Sequence, residues 1–194
     1  MSLPIVLKRC ADLGYKVFTD EMDLNIVAIR SADQTPNVFN DLLTISYRKS
    51  GQWYTRSWAC TTDPGLYWLQ NPGRVAGTAA LCPGQHRSSH TLGKHRGRYT
   101  ALTQCGPVRV FRDPDGSDQH ALGGEGSTID EGLFGINIHR ANATRTSTQV
   151  DRWSAGCIVC ADPTDFAAVI LLAKAQIKAH PTWTKYSLTL LEEW

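Results

Sequence analysis

Only one stretch of this 194-residue chain can form a long helix. It opens at Asp162-Pro163-Thr164-Asp165, where Asp162 suits the N-cap and Pro163 the first helical position. Phe166, Val169, Ile170, Leu172, Ala173 and Ile177 then recur at helical spacing and give a face to pack on a sheet. The 16 glycines and 9 prolines fall almost entirely outside it and cut the rest into pieces of strand length. Residues 42–48 and 52–60 alternate apolar and polar side chains around Lys49-Ser50-Gly51, a hairpin signal. Further strands are predicted at 15–18, 24–30, 77–81, 98–104, 108–112 and 186–191, with a turn or loop at 61–65. A short amphipathic helix is predicted at 5–14, closed by Gly14. The sum is a β-rich α+β fold: a mixed, curved sheet or barrel-like sandwich with one long C-terminal helix and a short N-terminal one. The length suits a single domain over 1–194, with a sheet-and-helix extension at 1–65 and a core at 76–194.

Hydrophobic residues at 42% and charged residues at 20% describe an ordinary globular chain. A formal charge of +2 is too mild to argue for nucleic acid, and is compatible with an anionic cell wall. No run approaches the roughly 18 apolar residues of a membrane span, so no membrane insertion is expected. At the start, Lys8 and Arg9 follow a very short apolar stretch, the reverse of a signal peptide. That order predicts a protein held in the cytosol until something else releases it. Six scattered cysteines lack the density of a disulfide scaffold. Cys157-Ile158-Val159-Cys160 is formally a C-x-x-C, but a zinc site wants a second ligand pair and a thioredoxin-type motif wants to open a helix. Cys160 is expected to be buried, with Ile158 or Val159 pointing the other way.

His139 closes an apolar, strand-like run from Leu133, and Cys157 follows the small-residue turn Ser154-Ala155-Gly156. A cysteine is a strong nucleophile as thiolate, and a nearby imidazole that takes its proton is the common route. Gly156, without a Cβ, permits a sharp turn in which the amides of Gly156 and Cys157 point at an oxyanion beside the sulfur. The competing interpretation is a packed thiol and an unrelated imidazole. The whole segment tips the balance. His139, fourteen intervening residues, S-x-G-C and the aliphatic Ile158 together resemble the signature of the L,D-transpeptidase family, firmly over residues 133–191 and more faintly over 76–112. The resemblance implies a barrel-like sandwich of that type, with Cys157 as nucleophile, His139 as base, Ser154 and Gly156 as members of the catalytic loop, and the carbonyl of Arg140 orienting the imidazole. Two departures stand out: Val159 where many relatives carry Arg or Asn, and Arg140 where a glycine usually follows the histidine.

Two charge-segregated stretches flank this segment. Residues 84–98 hold Arg87, Lys94, Arg96, Arg98, His86, His90 and His95 with no acid; residues 113–131 hold six acids with no Lys or Arg. Both suit solvated loops. In the functional version the basic loop reaches over the cysteine and holds substrate carboxylates through His95, Arg96 and Tyr99. The histidine spacing suits a metal only on a helix, which Gly93 and Gly97 oppose, so no metal is assigned. Asp113-Pro114-Asp115-Gly116 loosely suggests a calcium loop, with its glycine misplaced for an EF-hand. Among six tryptophans, Trp153 immediately precedes the motif and is assigned to the cleft rim, where it can face a sugar or peptide.

The substrate that the resemblance implies is bacterial peptidoglycan, attacked at peptide stems ending in D-alanine, with no cofactor. A thioacyl-enzyme on Cys157 then meets water, giving a hydrolase, or a second stem's amine, giving a cross-link. The absent export signal favours a hydrolytic enzyme similar to a bacteriophage endolysin, expected as a monomer. A transpeptidase and a non-enzymatic wall-binding or virion module stay open as alternatives.

Overall fold

The computed structural model describes residues 2–33, 35–113, 123 and 127–194. In chain order, α1 (Ile5–Asp12) leads to β1 (Asn25–Arg30), the hairpin β2 (Asp41–Lys49) and β3 (Gln52–Thr61), and a one-turn helix α2 (Leu66–Gln70). Then come β4 (Thr78–Leu81), β5 (Gly84–His95), β6 (Tyr99–Gln104), β7 (Val108–Asp113) and β8 (Thr128–Gly132). The chain finishes with β9 (Ile138–Arg140), β10 (Ile158–Cys160), α3 (Pro163–Ala179) and β11 (Lys185–Glu192). Eight strands close a barrel in the order β1-β11-β5-β6-β9-β10-β3-β2, while β4, β7 and β8 form a separate small sheet. The barrel is mixed: β1 runs parallel to β11 and β9 parallel to β10, the remaining neighbours antiparallel. Three of its strands come from residues 1–65 and five from 76–194. Closure leaves the barrel no free edge, a common way for an antiparallel sheet to avoid open-ended pairing. No helix among the described residues is long and apolar enough to cross a membrane.

Strand alternation separates two cores. Ile26 and Ala28 of β1, with Leu188 and Leu190 of β11, join the main cluster, which also takes Phe166, Val169, Ile170 and Ala173 from α3. Val27 and Leu191 face the other way and pack with Val6, Leu7 and Cys10 of α1. The long helix starts as its sequence requires: the Asp162 side chain accepts from the Thr164 and Asp165 amides. Gly14 closes the first helix region at φ +76°, and the hairpin pairs Lys49 with Gln52 across the expected turn.

Three local expectations are corrected. Residues 15–18 form no strand; side-chain amides stand in for a sheet partner. Asn25 exchanges two hydrogen bonds with the Phe18 backbone, and Gln85 two with that of Lys16. The predicted basic loop is instead the longest strand, β5, paired with β11 on one side and β6 on the other. Its glycines and the register shift opposite Tyr186/Leu188 hide that pattern from a local reading. The run from Leu133 becomes strand only at Ile138, because Gly135 sits at φ +77° and breaks it. In β10, Cys160 is buried as expected, and Ile158 and Val159 are buried with it. Within the acidic stretch, Asp130 and Glu131 lie on β8, whereas Asp115, Asp118, Glu125 and the suggested calcium loop lie outside the described residues.

His90 is fully buried on β5, with its ring between Ser89 Oγ (2.8 Å) and the Ile136 carbonyl (2.9 Å). His86, also buried, bonds the Cys82 carbonyl at 3.0 Å. These two histidines therefore brace the barrel from buried positions. Burial pushes the His90 imidazole down to about 4. The unfolded chain then binds a proton near pH 6.5 that the folded chain refuses, so this group's stability is complete above pH 6.5 and is lost as pH falls. The Asp23 carboxyl, pushed up to about 6 chiefly by burial, acts in the opposite sense. His90→Gln should therefore lose about 2 kcal/mol less stability than the parent between pH 7 and pH 5, read from urea melts at both values. An unchanged difference would mean that His90 is charged in the folded barrel.

Candidate active site

The Cys157 loop is shaped from both sides. Gly156 adopts φ +109°, and a Cβ built there would run into the Ala79 carbonyl oxygen of β4. Ser154 is fully buried; its hydroxyl donates to the Cys157 carbonyl (2.8 Å) and accepts from the Gly156 amide (3.2 Å). The Gly156 N–H is thus engaged, and the Cys157 N–H donates to no group among the described residues. One open oxyanion donor remains of the two expected. Gly156→Ala combines a left-handed φ with a backbone collision and should destabilise by about 3 kcal/mol. In a chain of this size that lowers Tm by about 10 °C, measurable by calorimetry. A Tm within about 1 °C of the parent would show that the loop yields freely.

Cys157 is half-buried, while the following residue joins β10. The thiol accepts from the Asn137 amide (3.4 Å) and donates to the Gly135 carbonyl (3.3 Å). The parallel register sets Ile158 beside Ile138 and Val159 beside His139, which brings Cys157 next to Asn137 and two positions before His139. That register places the Cys157 loop against the segment that leads into β9. His139 is 3% exposed. Its Nδ1 donates to the Arg140 carbonyl at 2.8 Å, and Tyr99 donates its hydroxyl to the same oxygen at 3.3 Å. With Nδ1 carrying the proton, Nε2 holds the free lone pair. Burial, helped by His95 and Arg96, pushes His139 down to about 3. Burial also pushes the Cys157 thiol upward. At neutral pH the pair is a thiol and a neutral imidazole, not a preformed ion pair.

A cavity of about 500 Å³ opens beside the histidine. His95, Arg96, Tyr99, His139, Arg140 and Trp153 line it, six of the nine residues singled out in the sequence; Cys157, Gly156 and Ser154 belong to the adjoining loop. Arg98 and Arg152 bring its arginines to four, and no Asp or Glu lines it among the described residues. Such a wall favours anionic groups. The Arg140 guanidinium lies 4.3 Å over the Tyr99 ring, and Trp153 is 41% exposed at the edge. No cluster of three or more His, Cys, Asp or Glu side chains among the described residues is arranged to hold a metal ion.

Two residues escaped the sequence. Gln104 accepts from the Phe134 and Ile136 amides and donates to the Gly106 and Gly132 carbonyls, so it fixes the irregular segment whose Gly135 carbonyl meets the thiol. Asn137 touches the sulfur through its amide and His95 through its side chain. Gln104 ends a predicted strand and Asn137 lies inside an apolar run, so the one available signal was an amide side chain where an apolar residue was expected. No family model, curated protein or solved structure matches this chain significantly.

Proposed function

We propose that this chain is a cysteine-dependent peptidoglycan hydrolase of L,D-transpeptidase-like type, cleaving peptide-stem bonds through a thioacyl intermediate on Cys157. The observation that carries this is a glycine-turn cysteine placed immediately before β10, beside the parallel strand β9 that bears a histidine whose Nδ1 is committed to a backbone carbonyl. The Cys157 sulfur adds to the stem carbonyl as His139 Nε2 takes its proton. Because the thiol is raised and the imidazole lowered, that proton leaves during attack rather than before it. The Cys157 amide faces the oxyanion, a donor typically worth about 3–4 kcal/mol. The imidazolium then protonates the leaving amine. Water, deprotonated by His139, next adds to the thioester, releasing the stem acid and restoring the thiol.

The arginine-lined cavity suits stems that carry several carboxylates, and Trp153 offers an aromatic face for a sugar or peptide. Arg140, stacked on Tyr99 beside the base, narrows the approach of a bulky amine while admitting water. Cross-link formation is the second reading, favoured by a cavity roomy enough for an acceptor chain. Mass spectrometry of purified muropeptides after incubation separates the outcomes. Shortened or separated stems are expected. Cross-linked dimers from monomeric muropeptides would mark an amine acceptor. Unchanged muropeptides with unmodified Cys157 would leave a binding module.

A further inference from the structure

His95 and His139 stack with ring centroids 4.1 Å apart and planes 23° from parallel. Asn137 determines which protons this pair carries. Its Oδ1 accepts from the Gln104 amide at 2.9 Å, a bond only oxygen can make, so its Nδ2 is the atom 3.1 Å from His95 Nδ1. That Nδ2 is a donor, which makes His95 Nδ1 an acceptor and puts the His95 proton on Nε2. His139 carries its proton on Nδ1, toward the Arg140 carbonyl. The two imidazoles are therefore neutral and of opposite tautomer.

Protonating His95 at Nδ1 would set donor against donor at Asn137. Asn137 cannot relieve this by turning over, because its oxygen is held by Gln104. It would also place a cation against the face of His139. The neighbours oppose the same event. Arg96 and Arg98 lie on the β5–β6 turn, Arg140 follows His139 on β9, Arg152 comes from the Cys157 loop, and Tyr99 of β6 stands 5.5 Å from the His95 ring. Lys94 is occupied with Thr100, and no carboxylate lines the cavity among the described residues.

We infer that His95 is a positioning residue for His139, held neutral by Asn137 so that it fixes the plane of the base, and that its protonation closes the site in acid. This rests on the reading of His139 as the base of Cys157. Burial and Arg96 lower the His95 imidazole, which is consistent with a neutral ring at working pH.

The test combines 15N NMR of labelled histidines between about pH 4 and 8 with the pH profile of kcat/KM on muropeptides, in the parent, Asn137→Asp and His95→Gln. NMR should find His95 as the Nε2–H tautomer and His139 as the Nδ1–H tautomer. The acid limb of kcat/KM should coincide with His95 titration. A carboxylate at position 137 welcomes the Nδ1 proton, so Asn137→Asp should move the limb up by about one pH unit or more. His95→Gln should move it down. A His95 Nδ1–H tautomer would overturn the inference, as would rates that fall equally at all pH values with an unmoved limb, since that marks a merely structural role. Correct tautomers, with His139 signals responding to His95 titration but no muropeptide processed, would uphold the His95–His139 coupling and sink the peptidoglycan reading.

Discussion

Cys157→Ala should abolish turnover of muropeptides, a loss of about 10⁴-fold or more, because it removes the sulfur proposed to carry the acyl chain. The fold should survive: the side chain is half-buried, and its two contacts are with the Asn137 amide and Gly135 carbonyl of one neighbouring segment. Cys160→Ala is the matched control. That thiol is buried in β10 opposite Cys60, pushed up to about 12 by burial, and has no route to substrate. Its loss should cost stability but leave kcat largely intact. Intact-mass spectrometry of trapped acyl-enzyme reports both variants directly. Full activity in Cys157→Ala would end the nucleophile assignment, and equal loss in both would turn attention to the C-x-x-C as a unit.

His139→Gln should lower kcat/KM by about 10²–10⁴-fold, the usual contribution of a positioned general base. The pH dependence carries more information than the size of the loss. In the parent, the base form of His139 persists down to about pH 3, so the imidazole is neutral throughout the working range. In the variant, attack must wait for the free thiolate. Ordinary thiols ionise near pH 8.5 and burial raises this one, so recovery should begin only in clearly alkaline solution. Rate profiles from neutral pH to about pH 10 measure it. A variant that matches the parent at neutral pH would show that another group takes the thiol proton.

The residues proposed to carry chemistry were easier to find than the wall around them. His139, Ser154, Gly156 and Cys157 form a local pattern within one short segment, and the structure sets them on adjoining strands and one loop. The capped helix α3 and the β2–β3 hairpin were legible for the same reason: a cap, a turn and a periodicity are each decided by neighbours in sequence. The strand β5 was not. Its backbone groups are satisfied by β11, about a hundred residues away, and by β6, and nothing within its own glycine-interrupted text announces those partners.

The same strand accounts for the histidines. The basic stretch holds three histidines, and pairing on both sides of β5 buries His86 and His90 and leaves only His95 of the three, at its end, in the cavity with Arg96 and Tyr99. By itself the sequence determined the β-rich character, the long capped helix and a candidate nucleophile with its base, because these follow from backbone preferences and short-range spacing. Tertiary structure alone decided that the barrel closes through β1 and β11, that Gln104 and Asn137 hold the thiol's surroundings, and that four arginines meet beside His139. Those features depend on which distant backbone groups find each other, and such pairings are fixed only when the whole chain is packed.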